Sequence, residues 1–476
     1  MNREKELAKN TIILFIGIFF TKIIQYFMLP FYTTFLTTAE YGTVELLNTI
    51  ITLLLPIIGL QVDQGVFRFL IGSRNKKSET NKLISSAFYF VILSSLIYIL
   101  LFLIISPFIN NEYKWLLVIN LFFTNLSSLF MQISRGIGSN SDYSISGIMT
   151  AVFTILFNIL FIIGIHLKVD GILIGGSIGY FIGIIYLFIK LRLYKSISIK
   201  YFDKTVIKQV LLYSLPMIPN AISWWIFSSS DRIIISSFVG LDANGILSVA
   251  YKFSSIAIII YNIFNMSLTE SISLHIKDND IEEYYNKIFN VTGNIFVSFS
   301  SILIAFMPIM FNILINKSFS DAYNLIPIAI LASEFQVFVG LLSTLYISNK
   351  KTKEVATTSI IAAIINITLD IILVKYIGIY AAIVSTLASY LFLCLYRYYD
   401  VNKKYLKVRF SKALINDIFC NIVIILIYYI NYNFAIVVNI VLAIVFAYIF
   451  NKNGIHVLFE IIKNRLPKKE VNHDKK

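Results

Sequence analysis

Ten ionisable side chains in the long apolar runs of this sequence are expected at membrane depth: Lys22, Glu45, Asp63, Arg68, Asp231, Arg232, Lys252, Glu270, Glu334 and Asp370. A charged group in a membrane-spanning helix costs at least about 2.5–3.5 kcal/mol on insertion, so it faces a wet cavity or a partner. Four of them, Lys22, Arg68, Arg232 and Lys252, are cations. Facing one cleft, they would suit a pyrophosphate or another acidic head group, with Arg gripping phosphate oxygens bidentately and Lys acting as a point charge. Asp63, Asp231 and Trp224 complete this candidate binding set. In the alternative, the cations pair with Glu45, Asp63 and Asp231 and only hold helices together. Adjacent residues such as Asp231 and Arg232 point about 100° apart on a helix. Asp63 and Arg68, five apart, also make a poor helical pair.

A second constellation follows from Asn366 and Asp370, one helical turn apart and so on one face. With the hydroxyls of Ser385 and Thr386 they offer hard oxygen donors for a cation or a transported proton. A polar contact between two helices would use the same residues. The four histidines are scattered without ligand spacing, so no metal site beyond a Na+ site is expected. Cys394 and Cys420, both within apolar runs, read as small buried hydrophobes. Pro216 and Pro219 precede Trp224 and Trp225 and interrupt the helical ladder beside the charged pair, as a hinge or as a fixed kink.

The elements that must position these residues are membrane-spanning helices. Hydrophobic residues make up 58% of the 476 and charged residues 14%, and mean hydropathy is +0.79. A soluble domain would carry roughly 25% charged residues. Apolar stretches recur at the length of about 20 residues that crosses the hydrocarbon as a helix, not as the short alternating segments of a β-barrel. Fourteen spans are expected: 11–35, 43–71, 83–106, 115–134, 144–165, 171–190, 208–239, 245–274, 287–314, 322–347, 354–374, 378–399, 413–430 and 433–450. No cleavable signal peptide is expected. Eight of the ten intramembrane charges fall in spans 1, 2, 7 and 8.

Lys and Arg concentrate at the ends of the chain and in every second loop, as in Arg74/Lys76/Lys77/Lys82 and Lys403/Lys404/Lys407/Arg409, while the alternate loops hold Lys114, Lys168, Lys317 and Lys375. That bias predicts a multi-pass protein with both termini cytoplasmic. It also accounts for the net charge of +14 without nucleic acid as a partner. Residues 31–48 align without gaps on 234–251, with Gly42 meeting Gly245, and Asn158…Gly171 echoes Asn366…Gly378. The repeat predicts an all-α protein of two pseudo-symmetric six-helix lobes, 1–195 and 196–400. Two further spans follow in 401–450, then a cytoplasmic tail over 451–476. Parallel repeats of this kind place a substrate cavity between the halves.

The run YSLPMIPNAISWWIFSSSDRIIISSFVGLDANGILSVAYKFSSI over 213–256, and FYTTFLTTAEYGTVELL over 31–47 after Pro30, resemble the polysaccharide-repeat flippases. These are O-antigen or capsule exporters of the multidrug/oligosaccharidyl-lipid/polysaccharide (MOP) superfamily. The resemblance implies a transporter, not an enzyme, in the bacterial cytoplasmic (inner) membrane. It implies alternating access that carries an undecaprenyl-pyrophosphate-linked oligosaccharide repeat to the outer leaflet, and a cationic cavity with which Arg68, Arg232 and Lys252 agree. It further implies membrane lipids, and a polysaccharide polymerase with other export machinery, as partners. No organic cofactor is implied. The related lipid II flippases bind sodium in spans 7, 11 and 12, and Asp231, Asn366, Asp370 and Thr386 resemble that set, which implies coupling to Na+ or H+. Two alternatives stand beside this reading: a drug/cation antiporter of the same superfamily, whose cavity should be acidic, and a membrane-embedded glycan polymerase or ligase, which should carry catalytic residues on a large external loop.

Overall fold

In a computed structural model of the protein, the described residues are 17, 20–22, 24, 26–74, 76–349, 351–430 and 432–465; of 263, 266, 267, 270, 274 and 453–465 the backbone alone is described. Helices α1 to α8 are Leu29–Phe35, Thr38–Ile58, Val62–Ser73, Lys77–Ile105, Lys114–Gly136, Asn140–Ile159, Lys168–Lys190 and Lys204–Ser214. Helices α9 to α16 are Met217–Phe238, Leu241–His275, Ile281–Leu314, Ala322–Ser348, Thr352–Ile377, Tyr380–Lys404, Lys412–Ile430 and Asn433–Arg465. Among the described residues there is no strand. Among the described residues twelve helices are long and apolar enough to cross a membrane, thirteen spans if α8 and α9, bent by 42° at Leu215–Pro216, form one. The chain is therefore a multi-pass, all-α membrane protein. Of the first expected span, 11–35, residues 11–16, 18, 19, 23 and 25 lie outside the described residues.

Two elements differ from the sequence reading. The expected second span, 43–71, is two helices: α2 carries Pro56 and ends at Ile58, and Leu60 and Gln61 take left-handed φ of 48° and 53° before α3 begins. Proline removes a ladder hydrogen bond, and the left-handed pair redirects the chain. Helix α16 runs to Arg465 instead of ending near 450, because Ile455, Leu458, Ile461 and Ile462 continue a helical apolar spacing past the charged residues.

The chain divides into two compact units. One comprises the residues up to Lys252 with Leu314–Ala322 and Ser359–Ser385; the other comprises Phe253–Ile313, Tyr323–Thr358 and Thr386 onward. In the first unit, Val62, Val66 and Leu70 of α3, spaced by one turn, enter a core with Ile84 and Ala87 of α4, Leu129, Phe130 and Ile133 of α5, and Val210 of α8. Helix α7 carries glycine at 171, 175, 179 and 183. That stripe lets α6 approach closely: a Cβ at Gly179 would lie 2.0 Å from Thr154 Oγ1 and 2.7 Å from the Thr150 carbonyl. Lipid offers helices no hydrophobic drive to associate, so such backbone contact does the packing. The start of α2 meets the start of α10 in the same way. A Cβ at Gly42 would lie 1.9 Å from the Leu241 carbonyl, and one at Gly245 2.1 Å from that of Thr38, while Asn244 Nδ2 donates to the Gly42 carbonyl at 2.8 Å. The two glycines that align in the internal repeat thus pack against each other.

Candidate functional site

The crossing of α2 with α10 sets the position of Glu45, one turn beyond Tyr41 on α2. Glu45 is 6% exposed, too buried for a carboxylate to keep its charge without partners. It has two: Arg232 Nη1 of α9 at 3.5 Å and Lys252 Nζ of α10 at 3.2 Å. Lys22 lies close enough to Lys252 for the two positive charges to repel. Asp231, also buried, turns away from this group. It accepts from the Tyr251 hydroxyl and from the Arg232 backbone N–H at 2.9 Å. The Arg232 guanidinium sits 5.9 Å from the centroid of the Tyr251 ring, so Tyr251 spans both residues of the pair. The divergence of adjacent side chains on α9 sends one residue to Tyr251 and the other to Glu45. Two cations, Arg232 and Lys252, thus meet the single carboxylate of Glu45 and leave one positive charge in excess, with Lys22 beside Lys252. Arg232 Nε is buried without a hydrogen-bond acceptor among the described residues. This arrangement can hold an anion by exchanging Glu45 for an incoming oxygen.

The other members of the expected binding set are placed elsewhere. Arg68 is exposed on α3, on the side away from Val62, Val66 and Leu70, and makes no ion pair among the described residues. Asp63, at the start of α3, accepts from Ser128 Oγ at 2.8 Å and Gln64 Nε2 at 3.1 Å, not from Arg68. The helix break at Gly59–Gln61 separates both from Glu45. Trp224 is half exposed on α9. Its neighbour Trp225 donates its indole N–H to the Thr49 carbonyl at 3.0 Å and Thr52 Oγ1 at 3.2 Å, which ties α9 to α2. The side chain of Glu270 lies outside the described residues.

On α13, Asp370 is fully buried, and neither of its carboxylate oxygens has a hydrogen-bond donor among the described residues. It is near enough to Asp231 for the two negative charges to repel. One turn earlier, Asn366 Nδ2 reaches Ser385 Oγ at 3.4 Å, and that hydroxyl donates to the Ala382 carbonyl at 3.0 Å. Thr386, the fourth residue of the expected ion set, begins the other unit. A bare buried carboxylate repelled by another is an acceptor for a cation or a proton.

Sequence reasoning passed over three polar residues. Tyr251 was read only as part of a motif. Arg397 is 1% exposed and binds Thr358 Oγ1 at 2.9 Å and the carbonyls of Val355 at 3.1 Å and Val339 at 3.4 Å. It falls at the end of the expected span 378–399, six residues before the basic loop that begins at Lys403. Asp417, fully buried on α15, carries a readable signal, an asparagine one turn away at 421, the same spacing as Asn366 and Asp370.

Residues 7–269, more than half of the chain, match the family model described as polysaccharide biosynthesis protein. Among solved structures, one described as lipid II flippase MurJ in an inward closed conformation has a TM-score of 0.68 at 17% identity and covers 95% of this chain and 100% of that chain. An inward-facing multidrug resistance MATE family transporter of the MOP superfamily has a TM-score of 0.67 at 13% identity, over 80% of this chain and 95% of that one. A MOP superfamily transporter from Pyrococcus furiosus, for which a binding pocket of reverse polarity is described, has a TM-score of 0.57 at 12% identity, over 85% and 97%. At these identities the likeness is one of fold. No curated protein matches the sequence significantly.

Proposed function

The chain belongs to the polysaccharide biosynthesis protein family, and from that premise we propose that it is a flippase that moves an undecaprenyl-pyrophosphate-linked oligosaccharide repeat from the cytoplasmic to the outer leaflet of the bacterial inner membrane. The observation that carries this reading is the excess of positive charge around Glu45. A sugar-pyrophosphate head group cannot cross hydrocarbon unaided, because stripping water from its charges and hydroxyls is prohibitive. Arg232, Lys252 and Lys22 would replace that water. Without substrate, Glu45 keeps the two nearest cations paired, and an arriving pyrophosphate competes for them with more oxygens and more charge. Substrate then favours whichever conformation presents these cations to it, and only such differential affinity can drive alternating access. A drug/cation antiporter would need an acidic pocket at this position, and a polymerase or ligase would need catalytic groups that no external loop supplies.

Coupling to Na+ or H+ belongs to the same proposal, with Asp370, Asn366 and Asp231 as the acceptors. The membrane potential supplies about 2.3 kcal/mol per charge per 100 mV, enough to drive the step. Arg68, Asp63 and Trp224 would meet the substrate only in another conformation. Both termini are cytoplasmic in this reading, and a polysaccharide polymerase receives the product.

The test is export of a lipid-linked glycan in cells that depend on this protein. Arg232→Ala should abolish export at an unchanged protein level in the membrane. Wild-type export in that variant would remove Arg232 from the site.

A further inference from the structure

Glu334 of α12, 4% exposed, and Asp417 of α15, fully buried, belong to the second compact unit, which contains none of the residues assigned to substrate. Asn421, one turn after Asp417 and also fully buried, links them to α11. Its Nδ2 donates to Glu334 Oε1 at 3.0 Å and to Ser301 Oγ at 2.8 Å. Ser298 Oγ donates to Asp417 Oδ2 at 2.9 Å and accepts from Asn451 Nδ2 of α16 at 2.8 Å. The hydroxyls of Ser300, beside Glu334, and Ser301 remain as neutral donors, and none of these bonds brings a positive charge to either carboxylate. Asp417 Oδ1 and Asn421 Oδ1 have no partner among the described residues, although residues four apart on a helix are neighbours. No ion pair with Lys, Arg or His reaches Glu334 or Asp417 among the described residues, and the nearest other titratable group is the Cys420 thiol beside Asp417.

Two buried carboxylates, one with an orphan oxygen, and the orphan amide oxygen of Asn421 form an electrostatic deficit of positive charge. Buried ions persist only when paired, and unmet buried acceptors are rare in native proteins. Oxygen donors from Glu334, Asp417, Asn421, Ser298 and Ser301 are the hard ligands that small, weakly polarisable cations prefer. We propose that this cluster of α11, α12 and α15, buttressed by Asn451 of α16, binds one exchangeable monovalent cation, Na+ or H+, at a site separate from Asp231 and Asp370. It also gives the last two helices, which lie outside the internal repeat, a reason to be there: they complete the donor set.

Infrared difference spectra of the purified full-length chain in detergent test this without any transport substrate, so its failure is distinct from failure of the flippase reading. One arm steps Na+ at fixed pH; the other steps pH without Na+. One carboxyl band is expected in one arm that persists in Asp370→Asn and disappears in Asp417→Asn, whatever bands Asp231 and Asp370 contribute; the near-isosteric substitution removes the charge and turns one acceptor oxygen into an amide donor. The responding arm identifies the ion. Asn421→Ala, which removes an orphan oxygen and the link to Glu334, should raise the half-saturating concentration roughly tenfold. Should Asp417→Asn fail to fold, Glu334→Gln carries the same expectation. Spectra unchanged by these substitutions in both arms, or an unshifted midpoint in Asn421→Ala, would overturn the proposal.

Discussion

Glu45 holds Arg232 and Lys252 together, and its carboxylate is the only acid in ion-pairing range of both among the described residues. Removing one partner of a buried pair leaves the other charge uncompensated, which costs more than the pair itself contributes. Glu45→Gln should therefore lower the thermal stability of the detergent-solubilised protein by about 1–3 kcal/mol, a range set by the partial exposure of both cations. Lys252→Met in the same chain should recover part of the loss by removing one of the stranded charges, and no recovery in a melting experiment would show that the three are uncoupled. The types of these residues were legible in the sequence, and so was the divergence of Asp231 from Arg232, since it follows from helix geometry alone. Their partners were not, because a pairing between α2, α9 and α10 depends on where distant helices cross.

At the scale of elements, glycine placement decides how closely helices approach. The stripe at 171, 175, 179 and 183 is visible in the sequence, and α6 uses it as a track. Gly179→Ala would drive its Cβ against the Thr150 carbonyl at 2.7 Å, where backbone cannot give way, and should destabilise the protein by about 1–3 kcal/mol. Gly72→Ala, with nothing within 4 Å of the added Cβ, should stay within about 0.5 kcal/mol of wild type. Comparable loss in both variants, measured by thermal unfolding in detergent, would mean that close approach is not what the stripe provides. The split of the expected second span was half legible. Pro56 announced a disturbance, but only the left-handed turn at Leu60 and Gln61 shows that α3 leaves the line of α2 and takes Arg68 and Asp63 with it.

For the molecule as a whole, the two proposed carboxylate centres would make ion coupling a property of the entire transport cycle. Asp370→Asn keeps the shape of the side chain and removes its charge, so export in that variant should no longer respond to imposed Na+ or proton gradients; an unchanged response in vesicles would dispose of Asp370 as a coupling group. Residue order by itself determined the class of protein, the run of spanning helices and the rarity of the charges within them. Hydrophobic length and charge in a spanning helix are local quantities, set by the contact of each segment with lipid. Tertiary structure alone decided that Arg232 and Lys252 gather at Glu45, with Lys22 beside Lys252, while Arg68 does not, and that Glu334 meets Asn421 beside Asp417. Those contacts join residues up to 230 positions apart, from Lys22 to Lys252, and no local pattern encodes which helix faces of a packed bundle will touch.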